Sequence, residues 1–458
     1  MNFSAETLAK YARGQLIQGG PQGAIETDSR KTDAGSWFLA LVGERFDAHD
    51  FLSQVAEKGC AGAIVSRLPE GDWPAGLILV EDTLGALQDI ARGVRRELTC
   101  PVVGITGSVG KTTTRALVGC ALSSLGEVHQ TAGNFNNHIG LPLTLLCMPD
   151  QAPDALVLEM GMSGPGEIDL LQSIGRPHVR LITRITAAHL EGVGSIEGVA
   201  AAKGELFDGA HPGDVLIVNA DDPRVLGLPR PPHVRVLSYG SKQGCDVRLH
   251  TVALDSTDLT TRVMVEVDSQ SYTVRLACPG RHLASNACAA IAVAMALGVS
   301  VEDAVQGLQS YRPVGMRMRV EQGPFDTTVL NDAYNANPAS TAAALEVLSE
   351  LVDRRRIALL GDMLELGDDA LELHRESLAL AMCSGLDVVG VCGALFTEAA
   401  ASVRQRDPAA TPRLLVASDA TALATMLSDE LVRDAVMLLK GSRGMAMERI
   451  LHVLGEEG

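Results

Sequence analysis

Short apolar runs alternate with amphipathic stretches along almost the whole chain, a rhythm that predicts strands interleaved with helices in largely parallel sheets. Near the start, Ala24 to Arg30 and Trp37 to Val42 read as strands, His49 to Gly59 as a helix, and Leu77 to Val80 as a further short strand. A helix over Leu84 to Leu98 leads into a second unit. Its strands are expected at Val102 to Thr106, Ala155 to Glu159, Arg180 to Ile185 and Val215 to Asn219. From Asp246 to Ala277 the apolar positions fall to period two, as in Val263, Val265 and Val267, which predicts antiparallel strands appended to the main sheet. A helix over Leu283 to Leu297 closes that unit, and Tyr311 to Gly315, with its Pro and Gly, reads as a linker. Beyond it, strands at Thr328 to Leu330, Ile357 to Leu360, Val388 to Val391, Leu414 to Ala417 and Val436 to Leu439 alternate with helices. That last pattern is Rossmann-like but lacks a dinucleotide glycine fingerprint. The expected fold is α/β in three domains, spanning 1–82, 83–312 and 313–458: a small N-terminal unit, a central unit on a mostly parallel sheet, and a Rossmann-like C-terminal unit.

Composition narrows the function. The 458 residues are 46% apolar, enough for several packed cores. Lys and Arg number 38 against 56 Asp and Glu, a net charge of −18, which argues against a broad nucleic-acid surface. Small anionic substrates remain open, because a few local cations can hold a phosphate. The nine cysteines are scattered, with none within four residues of another, so zinc-type and redox-type pairs are excluded. The start of the chain has no signal-peptide design, and the longest apolar run, Ala287 to Val299, falls short of the ~20 residues that span a bilayer. A cytoplasmic protein without a membrane span is expected; no self-association element stands out, so a monomer is expected too.

The chemistry concentrates in the central unit. The strand Val102 to Thr106 runs into Gly107-Ser108-Val109-Gly110-Lys111-Thr112-Thr113 and then a helix to about Leu125. Glycines let the backbone curl so that its N–H groups face phosphates, and the helix N-terminus adds positive potential. Lys111 would reach the β- and γ-phosphates, and a Thr112 or Thr113 hydroxyl would touch Mg²⁺. The strict Walker spacing is not met, since Ile105 stands where its first glycine would be. Glu159 ends an apolar strand beside a glycine-rich turn, where ligands of open α/β sheets gather; it could hold Mg²⁺ or cap the next helix. His189 follows the next strand and is either a site residue or an ordinary loop histidine. Lys203 falls on the apolar stripe of Ile196, Val199, Ala200 and Phe207. A lysine there is paired, deprotonated, modified, or snorkelling to water; a carbamate would make it an anion able to ligate a second Mg²⁺.

These segments, in this order, resemble the Mur ligase family across the whole chain. Thr27 to Arg30 and Gly43 to Phe51 look like its UDP-sugar-binding segments, with Ser29, Arg30, Gly43, Asp47 and His49 as the implied contacts. Gly133 to Gly140 resembles the stretch that meets the substrate through Asn134, Asn136 and Asn137. The resemblance implies ATP and two Mg²⁺, one held by Glu159 and a loop threonine, Thr112, the other by His189 and a carbamoylated Lys203. It implies nucleotide contacts from Gly107 to Thr113, from Asn286, from the interdomain Arg317, and from Asp332 and Tyr334. Asn331 to Pro338 resembles the signature of the dipeptide-adding branch, with Asn335 and Asn337 near the incoming dipeptide. The implied activity is an ATP-dependent peptide ligase of cell-wall synthesis, with Lys111, Lys203, His189 and Arg317 at the reaction centre. Its partners would be UDP-N-acetylmuramoyl-tripeptide and D-alanyl-D-alanine, with no nucleic acid. The rivals are a diaminopimelate-adding relative, a folylpolyglutamate synthetase, and a nucleotide-dependent switch without ligase chemistry.

Overall fold

A computed structural model describes residues 1–43, 46–187, 190–406, 412–427, 430–431 and 433–456. Three sheets follow one another along the chain. The first runs in the order Gln15–Gln18, Gly76–Leu79, Gly62–Val65, Ser36–Leu39, Ala24–Glu26 and is parallel apart from its first strand. The second has nine strands. Val128–Gln130, Ala155–Glu159, Val102–Thr106, Val179–Ile182, Val215–Asn219, Arg235–Gly240 and Val247–Asp255 pair in parallel. Thr260–Val267 and Gln270–Leu276 then continue it as an antiparallel meander, where the period-two pattern placed one. The third sheet orders Arg319–Gln322, Thr328–Asp332, Val436–Lys440, Arg356–Gly361, Val388–Cys392 and Arg413–Ala417, with only the first strand antiparallel.

The first two sheets share a core. Asp82 accepts hydrogen bonds from the Leu84 and Gly85 N–H groups and so starts the helix Thr83–Glu97. Leu87, Ile90, Ala91 and Val94, at i, i+3, i+4 and i+7, form its apolar face. It packs on the helix Ala5–Ala12 of the first unit and on Gly140–Leu146 and Glu167–Gly175 of the second, so buried side chains run without a break from Leu8 to Leu206.

The other face of the central sheet is covered by the helix His282–Ala296. Its alanines and small residues are buried nearly all round, which lets it lie close against the phosphate-loop helix. The third sheet has its own cores, joined by Leu254 and Leu259 reaching over from the meander. Arg281 adds a polar tie, its Nε donating to Glu350 Oε1 at 2.5 Å.

Candidate active site

The phosphate loop forms as the spacing predicts. Val102–Thr106 is fully buried, the chain turns through Gly107 to Gly110, and the helix Lys111–Ala121 begins at once. Gly107 has φ 150°, and a Cβ there would stand 1.9 Å from Thr183 Oγ1; Gly110 has φ 84° and faces Asn286 Oδ1. Neither turn accommodates a side chain. The loop is laced to the segment after the next strand. Ser108 Oγ donates to Thr186 O and accepts from Thr186 N, while Thr183 Oγ1 donates to Val109 O. The helix therefore presents its first N–H groups, which have no intrahelical partner, from a fixed platform.

Beside that platform lies Glu159, 2% exposed at the carboxyl end of Ala155–Glu159. Its Oε2 accepts from Thr112 Oγ1 at 2.8 Å and its Oε1 from Asn136 Nδ2 at 2.9 Å, while its N–H donates to Thr131 Oγ1. A buried carboxylate and a threonine hydroxyl at the mouth of a phosphate loop are the hard oxygens that Mg²⁺ takes alongside phosphate and water. These residues fit that ion. Thr112 rather than Thr113 meets the acid; Thr113 interacts with the Tyr311 hydroxyl.

Four basic side chains gather on this side of the site: Lys111 and Arg115 lie within electrostatic reach of Glu159, and Lys203 and Arg317 within reach of Lys111. Lys111, half-buried, donates to Gly107 O at 2.7 Å, and burial lowers its pKa against the pull of Glu159. Lys203 is fully buried on the helix Ile196–Asp208 and its Nζ has no partner among the described residues. Burial, reinforced by the Lys111 ammonium, pushes its pKa far below the lysine range. Deprotonation is thereby made easier, and the neutral amine is the form that can take up carbon dioxide. Arg317 comes from the third unit and stacks 3.7 Å over the Tyr334 ring, within electrostatic reach of Lys111. Arg115, one turn into the phosphate-loop helix, is the fourth, buried and in reach of Glu159. Sequence reasoning overlooked it, although its spacing of three from Thr112 places it on the same helical face.

The remaining predicted residues fall in three places. In the third unit, Asp332 Oδ1 accepts from Met318 N, and its Oδ2 lies 2.7 Å from the buried Lys440 Nζ, which also donates to Asn335 O at 2.9 Å. Lys440 thus ties together the segment holding Asp332, Tyr334 and Asn335. Asn337 caps the helix Pro338–Ser349, its Oδ1 accepting from Ser340 N and its N–H donating to Ser340 Oγ. In the central unit Asn134 is exposed, and Asn137 Oδ1 caps the helix Gly140–Leu146 through the Ile139 and Gly140 N–H groups. In the first unit Arg30 pairs with Asp28 at the surface, and the Ser29 carbonyl accepts from Lys58. Gly43 closes a small turn on Phe46 O. His49 is buried, with Nδ1 on Asp47 and Nε2 accepting from Ser66 N, so both ring nitrogens hold the loop rather than face a ligand. Arg67 also pairs with Asp47. His189 lies outside the described residues, though the chain leading to it is bound to the phosphate loop at Thr186.

A phosphate loop on a mostly parallel sheet, with a buried acid beside it and Arg317 reaching in from a third unit, defines a multi-unit P-loop enzyme. Comparison with known proteins gives the family. Residues 105–294 match the Mur ligase middle domain and residues 316–443 the Mur ligase, glutamate ligase domain. The chain is 37% identical over 464 residues to the UDP-N-acetylmuramoyl-tripeptide–D-alanyl-D-alanine ligase of Bacillus subtilis, covering 99% of this chain and 98% of that one. It is 36% identical to the same-named ligase of Escherichia coli, covering 95% and 94%. Among solved structures, MurF from Acinetobacter baumannii superposes with a TM-score of 0.89 at 32% identity, covering 100% and 99%. MurF ligase from Thermotoga maritima in complex with ADP gives 0.83 at 28%, covering 95% and 97%. The chain belongs to the Mur ligase family.

Proposed function

We propose that this chain uses ATP to join D-alanyl-D-alanine to UDP-N-acetylmuramoyl-tripeptide, giving the UDP-muramoyl-pentapeptide of peptidoglycan synthesis. The observation that carries the reading is the site around Glu159: a buried acid held by Thr112 and Asn136 at the lip of a phosphate loop, with Lys111 in electrostatic reach of it and Lys203 and Arg317 in reach of Lys111. The same-named ligases of Bacillus subtilis and Escherichia coli support it over nearly their full lengths. A diaminopimelate-adding or glutamate-adding ligase, and a switch without ligation, find no comparable support.

The reaction brings two anions together. The carboxylate ending the tripeptide attacks the γ-phosphate, giving an acyl phosphate and ADP. The dipeptide amine then attacks the acyl carbon and phosphate leaves. Main-chain N–H groups of the loop and the Lys111 ammonium hold the phosphates, and Arg317 offsets charge from the opposite wall. Thr112 and Glu159 would hold one Mg²⁺, and His189 with a carbamoylated Lys203 a second; the ions would neutralise phosphate oxygens and align them. Asn286, Asp332 and Tyr334 are assigned to the nucleotide. Ser29, Arg30, Gly43 and Asp47 are assigned to the UDP-sugar segment, with His49 as its internal support. Asn134, Asn136 and Asn137 are assigned to the tripeptide side, and Asn335 and Asn337 to the dipeptide. We place the boundaries of the three units near residues 82 and 312, with the third unit closing over ATP and excluding water from the acyl phosphate. No helix among the described residues is long and apolar enough to cross a membrane, and a cytoplasmic monomer is part of the same reading.

The test is phosphate release with the UDP-tripeptide, ATP and Mg²⁺, offering D-alanyl-D-alanine, diaminopimelate or glutamate in turn. Release with the dipeptide alone is expected, and Lys111→Ala should lower it by ~10²-fold or more. Nucleotide bound without ADP formed in the presence of all substrates would point instead to a switch.

A further inference from the structure

The basic side chains gathered beside the phosphate loop outnumber what the nucleotide requires. Lys111 and Arg317 answer to phosphate, and Lys203 to its own modification, which leaves Arg115. It stands on the helix Lys111–Ala121, three residues after Thr112, so its side chain leaves on the face that carries the Thr112–Glu159 contact. It is 4% exposed, and neither Nε nor Nη1 has a hydrogen-bond partner among the described residues. Burial lowers its pKa, opposed by Glu159 and reinforced by Arg317, yet a guanidinium keeps its proton throughout the physiological range. A buried charge with unfilled donors is unfavourable unless a ligand completes it.

We propose that Arg115 is a carboxylate receptor, binding the terminal carboxylate of a peptide substrate as it comes alongside Glu159. A planar fork of N–H groups matches a carboxylate with two parallel bonds. The nucleotide phosphates are served by the loop's main-chain N–H groups and Lys111, whereas Arg115 lies about 6 Å further along the helix axis. The inference rests on the ligase reading, which supplies two such carboxylates: the one ending the tripeptide and the one ending D-alanyl-D-alanine.

Binding is measured before chemistry. Full-length Arg115→Met is unfolded thermally with a non-hydrolysable ATP analogue and Mg²⁺, with the UDP-tripeptide, and with D-alanyl-D-alanine. The nucleotide's stabilisation is expected to match wild type, while that given by one peptide substrate disappears. In turnover the KM for that substrate should rise roughly 30-fold or more, and Arg115→Lys should recover part of it. A second arm uses D-alanyl-D-alaninamide. If the dipeptide's carboxylate is bound, wild type discriminates against the amide and Arg115→Met does not. If the tripeptide's is bound, that discrimination survives and only UDP-tripeptide binding falls. Either result supports the receptor and identifies its ligand. Unchanged binding of both peptides, or loss of nucleotide binding in parallel, overturns it. Should Arg115→Met not fold, Arg115→Gln is read in the same way. A wild-type enzyme that binds both peptides but never ligates them refutes the ligase reading, and the binding data still judge Arg115.

Discussion

Lys203 is enclosed by a helix whose buried face includes Val199, Leu206 and Phe207, and its Nζ meets no acceptor among the described residues. The unmodified residue is therefore costly, and replacing it with an apolar chain of similar length removes the cost. Lys203→Met should raise unfolding stability in carbon-dioxide-free buffer by ~1–3 kcal/mol. The pH dependence has a definite sign. The folded pKa is depressed, so below the unfolded value of about 10.4 the unfolded chain holds the proton that the folded chain lacks. The penalty is absent above that pH and grows as pH falls toward the folded pKa. Denaturation at pH 6 and pH 9 should show the gap between variant and wild type widening at the lower pH; equal gaps would mean that the amine is paired after all. Turnover should move the other way. Lys203→Ala is expected to fall below about a hundredth of wild-type activity, with no recovery on adding bicarbonate; near-native activity would remove the carbamate from the account. The stripe spacing made this residue legible from sequence alone. Arg115 was not, because a basic residue one turn into a helix reads as solvated until its surroundings are known.

At the scale of elements, Asn337 joins a structural role to the substrate role proposed for it. Its Oδ1 receives Ser340 N at 2.9 Å, with Pro338 in the first turn, and the side-chain amide nitrogen is the part left for the dipeptide contact we propose. Two substitutions separate the roles. Asn337→Ala should lower the stability of the C-terminal unit by about 1 kcal/mol. Asn337→Asp keeps the cap, and its charge suits a helix start, so stability should hold; yet KM for D-alanyl-D-alanine should rise about tenfold or more as one carboxylate faces another. Stable protein with an unchanged KM would leave Asn337 as a cap only. Capping and apolar runs explain why so much of the fold could be read in advance. Val102–Thr106, Ala155–Glu159 and Val215–Asn219 are fully buried strands with crisp ends, and they fall where their composition placed them. Gln15–Gln18 was invisible because all four residues are exposed and no alternation exists. Arg319–Gln322 escaped for a similar reason: it is polar and lies at a sheet edge, where only backbone pairing with Thr328–Asp332 makes it a strand.

The whole molecule carries a net charge of −18 but brings Lys111 and Arg115 within electrostatic reach of Arg317 from the third unit, a repulsion that arriving anions would relieve. Two kinds of contact set the resting geometry. Leu254 and Leu259 bury themselves in the core of the third unit, and Arg281 forks onto Glu350 at 2.5 and 3.3 Å, with Glu346 at 3.8 Å and its Nη1 on Val252 O. Arg281 stands at the start of the helix His282–Ala296, so the fork holds the C-terminal end of the third unit's helix Pro338–Ser349 against it. In this arrangement Arg317 already lies in electrostatic range of Lys111. The pair is partly exposed, with 43% and 26% of the two side chains accessible, which limits its worth to about 1 kcal/mol or less, a factor of roughly five in an equilibrium. Arg281→Ala should therefore raise KM for ATP by up to ~5-fold with little change in kcat, because the third unit must be drawn in by the nucleotide alone. Salt provides the control. Between low and half-molar sodium chloride, wild type should approach the variant as the pair is screened, whereas the variant should change less. Small-angle scattering of the free protein should show a larger radius of gyration for the variant at low salt. If KM and dimensions are both unchanged, the apolar bridge through Leu254 and Leu259 holds the units by itself, and the fork is a surface contact without consequence for closure.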